Sequence, residues 1–560
     1  MDDELPGDLD PENLEGYRGR WVAVSGNRII AQGGTPQQAE RSARVARFKE
    51  IPRIMYVPTG QEFEFPPIVF RLRELLAADQ EIFLVGGVVR DALLGRSSKD
   101  IDIVLPSKAL EKARTVANQL GGAFFPLNEE FDAGRVILTD DNDQRMILDF
   151  TGMRGASLDD DLRARDFTIN AMAVNLHDLD KPLDPMGGAR DLIKGEIRAC
   201  SSTSFESDPI RILRAVRQAA EYKFKIALDT RALMRNAASR LPDSSQERQR
   251  DELFRILDGA QPAAALRALD ILGVLPYLLP EIAALKGVQQ TAPHSRDVFG
   301  HTLSVLQNLA TLLNILGPAY DPEGDANNLI FGLAVLNLGR FREHFSAHLK
   351  YHFTPERTAR ALLFMAALYH DCGKPVTFSR SDDGRIRFFK HDIEGATLAR
   401  QRGNILHLSN EELQRLTLTV KHHMRPLLLT NSNQKPTRKA IYRFFRDAGV
   451  SGVDICLLSL ADFLGTYGTG VPQDLWAHHL ETVRSLLSAW WEHPAEEINP
   501  PLFLNGKEII EIFSIEQGPL IGKVLKRLHE AQAVGEVTSR DEAMRFVESY
   551  LAGTQKPDGE

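Results

Sequence analysis

The sequence predicts an α+β protein of several domains, in which a mixed α/β domain is followed by helical regions. The chain has 560 residues, which exceeds the ~100 to 200 residues of one domain. From Ile68 to Arg198 strand and helix periods alternate, whereas the pattern after Ser201 is helical. We therefore expect a small α+β unit, a mixed-sheet domain and a long helical remainder.

The composition excludes several classes of protein. Lys and Arg total 67 against 76 Asp and Glu, and the formal net charge of -9 excludes polyanion binding through overall charge but not through a local basic groove. No apolar run approaches the ~18 residues of a membrane span. Cys200, Cys372 and Cys456 form no CxxC pair, and the acidic N-terminus does not resemble a signal peptide. We expect a cytoplasmic protein with no membrane partner.

The N-terminal region predicts a solvated leader and a small folded unit. Residues 1–16 carry seven carboxylates and no base, a composition typical of disorder. Residues 17–60 alternate apolar and polar side chains around Ser25-Gly26-Asn27, a hairpin signal, before a helical stretch and the strand IMYV. We expect an accessory α+β domain without catalytic residues, acting as a docking or folding module.

Two carboxylates share one face of a predicted strand. Asp100 and Asp102 lie in DIDIVL, where the strand period of two turns both away from Ile101 and Ile103. Carboxylate oxygens suit Mg²⁺, and a metal pair can activate a hydroxyl and stabilise a pyrophosphate leaving group. Asp149 in RMILDF is the third ligand if its strand lies beside the first. The alternative interpretation is a pair of exposed acidic residues that bind no metal.

A Gly-Gly turn precedes this strand. FLVGGVVRDALLG predicts a strand, Gly86-Gly87 and then a helix, an arrangement that lets backbone N–H groups approach a triphosphate beside Arg90. Further on, Asp208 and Arg211 in DPIR lie three residues apart. On a helix both would project to one face, either as a surface ion pair or as an acceptor and a donor fork that imitate a base.

Taken together, GGVVRDALLGRSSKDIDIVL, ARDFTINAMA and SDPIRILRAVR resemble the class II tRNA nucleotidyltransferase and poly(A) polymerase family, which includes CCA-adding and A-adding enzymes. The resemblance is strong from Ile68 to Val288 and continues more weakly, through an HD domain, to the C-terminus. It implies a polymerase-β-like nucleotidyltransferase head over 68–200 and a helical neck over 201–290 that binds nucleotide and RNA.

The resemblance also implies site residues. Asp100 and Asp102 would bind the catalytic Mg²⁺, with Asp149 as the carboxylate that activates the RNA 3′-hydroxyl. The residues implied for binding of ATP or CTP are Gly86, Gly87, Arg90, Asp91, Arg165, Asp166, Asn170, Asp208, Arg211, Arg214 and Arg217. The chain departs from the family at Ala164, Ser207 and Gln218, where an arginine, an acid and an aromatic residue are usual.

Histidines and aspartates concentrate on the apolar helical stretches from His294 to about Tyr467. Their order resembles the HD superfamily of metal-dependent phosphohydrolases, which implies an HD domain over 291–470. The implied ligands of a divalent metal of unknown identity are His301, His370, Asp371 and Asp462. His391 and His423 would hold a second metal or a phosphate.

The last region, 471–551, resembles the family's helical tail, and Lys507, Lys523, Lys526 and Arg527 are candidates for contacts with an RNA backbone or for a solvated face. Residues 552–560 are expected to be disordered.

Together, the motifs and the family resemblance predict a template-independent nucleotidyltransferase that adds CMP and AMP from CTP and ATP to the 3′ end of tRNA. The alternatives are an A-adding enzyme or poly(A) polymerase, and an HD phosphohydrolase whose head only binds nucleotide.

Overall fold

The computed structural model describes residues 14–26, 28–45, 52–57, 63–77, 81–139, 145–318, 320, 329–382, 384–430 and 435–554. Most of the predicted leader, up to residue 13, and the end of the predicted tail, from residue 555, lie outside the described residues. The chain divides into two compact units, Met1–Asp243 and Ser244–Glu560, and each is described by itself.

The N-terminal module is a three-stranded antiparallel sheet covered by one helix. Its strands are β1 (Arg20–Ser25), β2 (Arg28–Gly33) and β3 (Arg53–Val57), in the order β2-β1-β3, and its helix is α1 (Pro36–Val45). Alanines of α1 pack on Ala23, so the helix approaches the sheet closely. On the other face Leu14 is buried with Val22 and Val24, so the folded module begins within the predicted leader.

The head is built on one seven-stranded sheet in the order β10-β9-β4-β5-β8-β7-β6. Only β5 and β8 pair in parallel; the other neighbours are antiparallel. The strands are β4 (Phe83–Val85), β5 (Asp100–Leu105), β6 (Ala123–Asn128), β7 (Ala133–Thr139), β8 (Arg145–Gly152), β9 (Ala173–Asn175) and β10 (Asp178–Leu183).

Eight further helices are described in the first unit. They are α2 (Pro67–Leu75), α3 (Gly87–Leu93), α4 (Ala109–Leu120), α5 (Leu158–Arg163), α6 (Gly188–Lys194), α7 (Ser204–Ser207), α8 (Arg211–Tyr222) and α9 (Leu228–Ala237). Alanines and Val116 recur on one side of α4 and are buried, as the helical period requires. The expectation of no strand after Ser201 needs correction, because the short β12 (Lys225–Ile226) pairs in parallel with β11 (Glu196–Ile197) and two short hairpins follow in the second unit.

The second unit is almost entirely helical. Its helices are α10 (Gln246–Asp258), α11 (Pro262–Ile271), α12 (Leu275–Leu278), α13 (Pro280–Ala283), α14 (Val298–Ile315), α15 (Leu329–Leu338), α16 (Arg342–Leu349), α17 (Ala359–Tyr369), α18 (Lys374–Thr377), α19 (His391–Ile405), α20 (Asn410–His422), α21 (Arg425–Thr430), α22 (Arg438–Ala448), α23 (Ser451–Tyr467), α24 (Gln473–Trp491), α25 (Gly506–Phe513), α26 (Pro519–Ala533) and α27 (Arg540–Thr554). Two small hairpins, β13 (His352–Thr354) with β14 (Arg357–Thr358) and β15 (Phe378–Arg380) with β16 (Ile386–Phe388), join them.

The centre of this unit is formed by α17 and α23, whose side chains are buried on nearly every side. A buried ion pair anchors α23: Arg415 of α20 holds Asp454 through Nε and Nη2, and His348 lies 2.8 Å from the same carboxylate. Glu281 of α13 accepts hydrogen bonds from Tyr369 and Arg402. The later part of the predicted neck is therefore packed on the HD helices.

Among the described residues, no single helix is both long and apolar enough to cross a membrane; Arg438–Ala448 and Ser451–Tyr467, bent by 108° to each other, meet that requirement only as a pair.

Candidate functional site

The carboxylates of the head meet at the parallel pair of strands. Asp102 of β5 lies directly opposite Asp149 of β8, and Asp100 lies two residues earlier on the same face. The hydrophobic neighbours Ile101, Ile103, Leu148 and Phe150 are buried on the other side. The strand period thus collects three carboxylates on one polar face of the sheet.

Burial and charge both act on Asp102. Burial raises its pKa, Asp149 and Asp100 add to the rise, and Arg165 and Arg214 oppose it, so the pKa lies above its usual value. A carboxylate whose pKa is raised by burial and like charges is stabilised when a cation binds beside it. The oxygen-only donor set therefore fits a hard divalent metal.

Gly86 is the close neighbour of Asp102. Its φ of +74° belongs to the left-handed region, and a Cβ atom at this position would lie 2.8 Å from Oδ2 of Asp102 and 3.1 Å from Nη1 of Arg165. A side chain here would both strain the backbone and enter the space in front of the carboxylate. The structure thus accounts for glycine at the first position of the Gly-Gly turn.

Arg135 is a site residue that the sequence analysis missed. From β7 it donates two hydrogen bonds of 2.8 Å to the two oxygens of Asp149, a bidentate pair that fixes the carboxylate in one orientation. Each carboxylate oxygen keeps a second acceptor position. Pairing of RVILT with RMILDF in the sequence would have indicated this contact, because Arg135 and Asp149 are directly opposite in the antiparallel register.

Arg90, Asp91 and Asn170 form one buried network. Arg90 donates to Asp91 at 2.9 Å and to Oδ1 of Asn170 at 2.6 Å, and its guanidinium lies 4.7 Å from the ring centroid of Tyr222. Asn170 donates in turn to Gln218, which stands where the family usually has an aromatic residue. Gly87 lies beside this network, since its Cβ would be 3.5 Å from Nη2 of Arg90.

Asp166 is the centre of a second network. Burial raises its pKa, but the paired Arg214 and the hydrogen bonds from Asn170 and the Phe167 N–H outweigh burial, so the pKa is lowered. Arg214 donates twice to Oδ2, at 2.9 and 2.8 Å. Arg165 donates to Asp161 at 3.1 Å. Asp166 is therefore an ionised brace between ARDFTINAMA and α8.

One expectation about DPIR is wrong. Asp208 does not lie on the same helix as Arg211: it follows α7 with an extended backbone, φ -150° and ψ 91°, and α8 begins at Arg211. The proline after Asp208 disfavours helical geometry for the residue before it. The two side chains still approach, with Nε of Arg211 3.9 Å from Oδ2 of Asp208.

The guanidinium of Arg211 is held in place by three hydrogen-bond acceptors. Its guanidinium donates to the carbonyl oxygens of Arg165 and Ala164, at 3.1 and 2.8 Å, and to Oγ of Ser204 at 2.8 Å. Three backbone and hydroxyl acceptors thus orient it toward Asp208. Arg217, further along α8, pairs with Glu221 at 3.2 Å.

A separate cluster of histidines and aspartates lies in the second unit. The structure brings the six predicted residues together in two groups. Within each group the ligand atoms lie within 4.8 Å of one another. The first group is His301, His370 and Asp462, and the second is Asp371, His391 and His423. The groups touch, because Nε2 of His370 lies 3.2 Å from Oδ2 of Asp371.

Three of the histidines are oriented for metal binding. Nδ1 of His370, His391 and His423 faces the carbonyl oxygen of Ala367, Phe388 and Val420, respectively, at 2.7 to 2.8 Å. Since a carbonyl only accepts, Nδ1 carries the proton and Nε2 keeps its lone pair toward the cluster. Nδ1 of His301 is buried without a hydrogen-bond partner among the described residues.

The pKa shifts at His423 and Asp371 suit this donor set. Burial lowers the pKa of His423 to about 4. At His370 burial also lowers the pKa, but Asp371 and Asp462 outweigh it and the pKa is raised, a shift that a cation bound to these carboxylates would oppose. Burial raises the pKa of Asp371, but His370 and Lys374 outweigh it, and the pKa lies well below its usual value. A neutral imidazole and an ionised carboxylate are the forms that bind metal.

The cluster lies at the wall of a cavity of about 650 Å³. Lys374 reaches Asp371 and Gln290 at 2.6 Å each. His294, which the ligand prediction omitted, lines the same cavity, and its ring centroid is 5.1 Å from that of His301. The other walls carry Phe388, Phe389, Arg387 and Lys390, so aromatic and cationic groups surround the opening.

The fold and the first site define a nucleotidyltransferase. Residues 82–198 match the "Poly A polymerase head domain" family, and residues 223–286 match the family described as "Probable RNA and SrmB- binding site of polymerase A". Residues 298–445 match the HD domain family. Residues 12–60 match a family of unknown function.

Curated relatives cover nearly the whole chain. An A-adding tRNA nucleotidyltransferase of Deinococcus radiodurans is 33% identical over 477 residues, 84% of this chain and 96% of the relative. A CC-adding tRNA nucleotidyltransferase of Geobacter sulfurreducens is 30% identical over 481 residues, 85% of this chain and 93% of the relative. The chain belongs to the tRNA nucleotidyltransferase family, and it is an enzyme of this kind.

The solved structures agree on the fold. A CCA-adding enzyme in complex with CTP aligns over 88% of this chain and 96% of its own, with a TM-score of 0.55 and 21% identity. An unliganded CCA-adding enzyme aligns over 87% and 93%, with a TM-score of 0.53. The predicted fold class is confirmed.

Proposed function

We propose that the chain adds CMP and AMP, from CTP and ATP, to the 3′ end of tRNA, with Mg²⁺ held by Asp100 and Asp102. The observation that carries this proposal is the register of β5 and β8, which sets Asp102 opposite Asp149 beside the Gly86 turn. The full-length relatives named for tRNA nucleotide addition support the choice of substrate. A cytoplasmic location, expected from the sequence, fits this substrate.

The residues of the chain have distinct roles in the proposed reaction. Asp100 and Asp102 would supply oxygen ligands, and Asp149, held by Arg135, would activate the RNA 3′-hydroxyl. When bound, the metal would supply the positive charge that favours the ionised hydroxyl and the leaving pyrophosphate. The rest of the catalysis is positioning and charge stabilisation.

The nucleotide would be held by the networks behind the carboxylates. We assign the triphosphate to the Gly86-Gly87 turn with Arg90 and Asp91, and the ribose to the segment of Arg165, Asp166 and Asn170. Asp208 and Arg211 would pair with the base edge, because the guanidinium is fixed from behind and the carboxylate beside it is an acceptor. Arg214 and Arg217 stay predicted nucleotide ligands; Arg214 also neutralises Asp166.

Three RNA substrates test the proposal, each with labelled CTP or ATP. One is a tRNA transcript that ends before the first C, one is a tRNA transcript that ends after CC, and the third is an unrelated RNA. Addition of C and then A supports the proposal. A alone on the CC end indicates an A-adding enzyme like the Deinococcus relative, C alone a CC-adding enzyme like the Geobacter relative, and long A tails on any RNA a poly(A) polymerase. Absence of all incorporation would overturn the proposal.

The second site favours a second activity. We infer that the HD helices bind divalent metal and hydrolyse a phosphate ester, because two adjoining ligand groups with their imidazole Nε2 atoms turned inward line a cavity. Metal analysis of purified His370→Ala protein, with the unsubstituted protein beside it, tests the site. Loss of bound metal is expected, and an unchanged metal content would contradict the proposal.

A further inference from the structure

The N-terminal module carries positive charge in an acidic chain. Residues 17–60 contain eight Lys and Arg against two Glu, a net charge of +6, whereas the whole chain carries -9. The bases are Arg18, Arg20, Arg28, Arg41, Arg44, Arg47, Lys49 and Arg53. Local charge of this size on so small a fold is typical of a surface that meets a polyanion.

Several of these arginines gather at one end of the module. Arg28 is opposite Ser25 and Arg53 is opposite Val24, so the two flank the same end of β1. β2 finishes at the other end of the sheet. Because α1 starts there and runs back along the sheet, Arg41 and Arg44 lie toward the end that carries Arg28 and Arg53. Arg28 lies on the face of the sheet that α1 covers and Arg53 on the opposite face, so the arginines lie around this end of the module. We call Arg28, Arg41, Arg44 and Arg53 the arginine surface.

The side chains of the arginine surface are exposed. Arg44 pairs with Glu40 at 2.6 Å, an exposed pair of the kind that is worth little. Within the described part of the chain, no ion pair or hydrogen bond occupies the side chains of Arg28, Arg41 and Arg53. The guanidinium forks are therefore available to an anionic partner.

The module is fixed to the head and is not a loose appendage. The carbonyl oxygen of Gly34 accepts a hydrogen bond of 2.7 Å from the N–H of Asp184, and Gln38 donates to the Pro185 carbonyl at 3.2 Å. A Cβ atom on Gly34 would overlap the carbonyl of Asp184. The head residues in this contact, Asp184 and Pro185, follow β10 directly in the chain.

The register of the sheet relates this contact to the catalytic strand. Leu183 is opposite Ala173, Ala173 opposite Val85, and Val85 opposite Asp102. The docking segment therefore starts in the same cross-strand row as Asp102, three strand spacings away. At ~4.8 Å per spacing this is ~14 Å, about the length of four phosphates along one strand of a nucleic acid.

From these observations we propose that the arginine surface binds the phosphodiester backbone of the RNA substrate while its 3′ end lies at Asp102. The proposal rests on the proposed function for the identity of the partner. The module docks on the head through the end that carries Gly34, and the arginine surface lies at its other end, farther than ~14 Å from Asp102. There it would meet the backbone of the same RNA at a distance from the 3′ end. Because phosphate contacts carry no sequence information, the module adds affinity and register without selecting a sequence.

The test is a binding titration of the full chain with a tRNA transcript, without nucleotide or metal, over a series of salt concentrations. The triple variant Arg28→Gln, Arg41→Gln, Arg53→Gln should weaken binding about tenfold or more and flatten the salt slope by about 2 to 3, since each phosphate contact contributes ~0.9. The triple variant Arg28→Lys, Arg41→Lys, Arg53→Lys keeps the charge and should retain the slope.

A matched control removes three exposed bases elsewhere. Lys350→Gln, Arg400→Gln, Lys421→Gln changes the net charge equally and should leave the slope unchanged. An unchanged slope in the module variant, or an equal loss in the control, would overturn the proposal. So would tighter binding by the module variant, which would make the acidic leader the occupant. If tRNA binding behaves as expected but no nucleotide is incorporated, the proposed function fails and the docking surface stands.

Discussion

The residue at position 86 determines whether the space in front of the Asp102 carboxylate stays free. Gly86 combines a positive φ with a side-chain position that faces Asp102. The Gly-Gly turn and the DxD strand could both be predicted from the sequence, but their contact could not, because it depends on the pairing of β4 with β5.

We expect Gly86→Ala to lower the rate of nucleotide incorporation by about 10- to 100-fold, since a displaced carboxylate misaligns the reacting groups. Gly95→Ala is the matched control: it has a φ of +65° but nothing within 4 Å of a Cβ, so it tests backbone strain alone. Steady-state incorporation by the two variants checks the prediction, and equal effects would contradict it.

The residue scale also contains a buried charge that supports stability. Burial raises the pKa of Asp454, but Arg415 and His348 outweigh it and lower the pKa to about 2. A lowered carboxyl pKa stabilises the fold above the unfolded pKa of ~3.9, and this stability is lost as the pH falls toward 2.

Asp454→Asn should destabilise the second unit by ~3 to 5 kcal/mol at pH 7, because it leaves Arg415 buried without its partner. Thermal unfolding measures this loss, and the difference from the unsubstituted protein should shrink as the pH drops from about 4 to 2. Asp447→Asn, which breaks a more exposed pair with Arg446, should cost less than ~1 kcal/mol. Similar losses for both variants would show that burial of the pair is not the cause.

At the scale of elements, the sequence identified β4, β5, β7 and β8, which carry the site, and missed β6, β9 and β10. β4, β5, β7 and β8 have the apolar alternation of half-buried strands. β6 and β10 are the two edge strands and contain Pro126 and Pro182, and proline is tolerated at an edge but suppresses strand signals. The same residue type explains the error at Asp208, where the following proline ends the helical geometry.

The docking of the N-terminal module on the segment after β10 makes a prediction at this scale. Gly34→Ala should separate the module from the head, because the new methyl group overlaps backbone and cannot be relieved by a rotamer change. Limited proteolysis should then cleave the chain earlier near residue 60. Gly16→Ala, with nothing within 4 Å, should leave the cleavage rate unchanged, and equal protection of both variants would refute the docking role.

At the scale of the whole molecule, each set of predicted metal ligands lies within one compact unit. The head carboxylates come from β5 and β8, and the HD ligands from helices between His301 and Asp462. The family resemblance predicted both sets, whereas spacing alone could not group the HD residues, since they are distributed over five segments of the chain.

We therefore expect the two chemistries to be separable. Asp100→Ala should abolish nucleotide incorporation and leave metal binding by the HD cluster intact, and Asp100 is exposed, so folding should persist. His370→Ala should do the reverse. Incorporation assays and metal analysis on both proteins check this, and loss of both properties in one folded variant would contradict it.

The parallel pairing of β5 with β8 also has a consequence for biosynthesis. A parallel pair cannot close through a tight hairpin, and here the connection includes α4, β6 and β7. During translation the chain emerges from its N-terminus and folds domain by domain, so Asp102 is synthesised 47 residues before Asp149, its partner on β8 (149 − 102). A nascent chain that stops before Asp149 thus has no complete carboxylate cluster, and truncated translation products of this kind are expected to be inert toward the tRNAs around them.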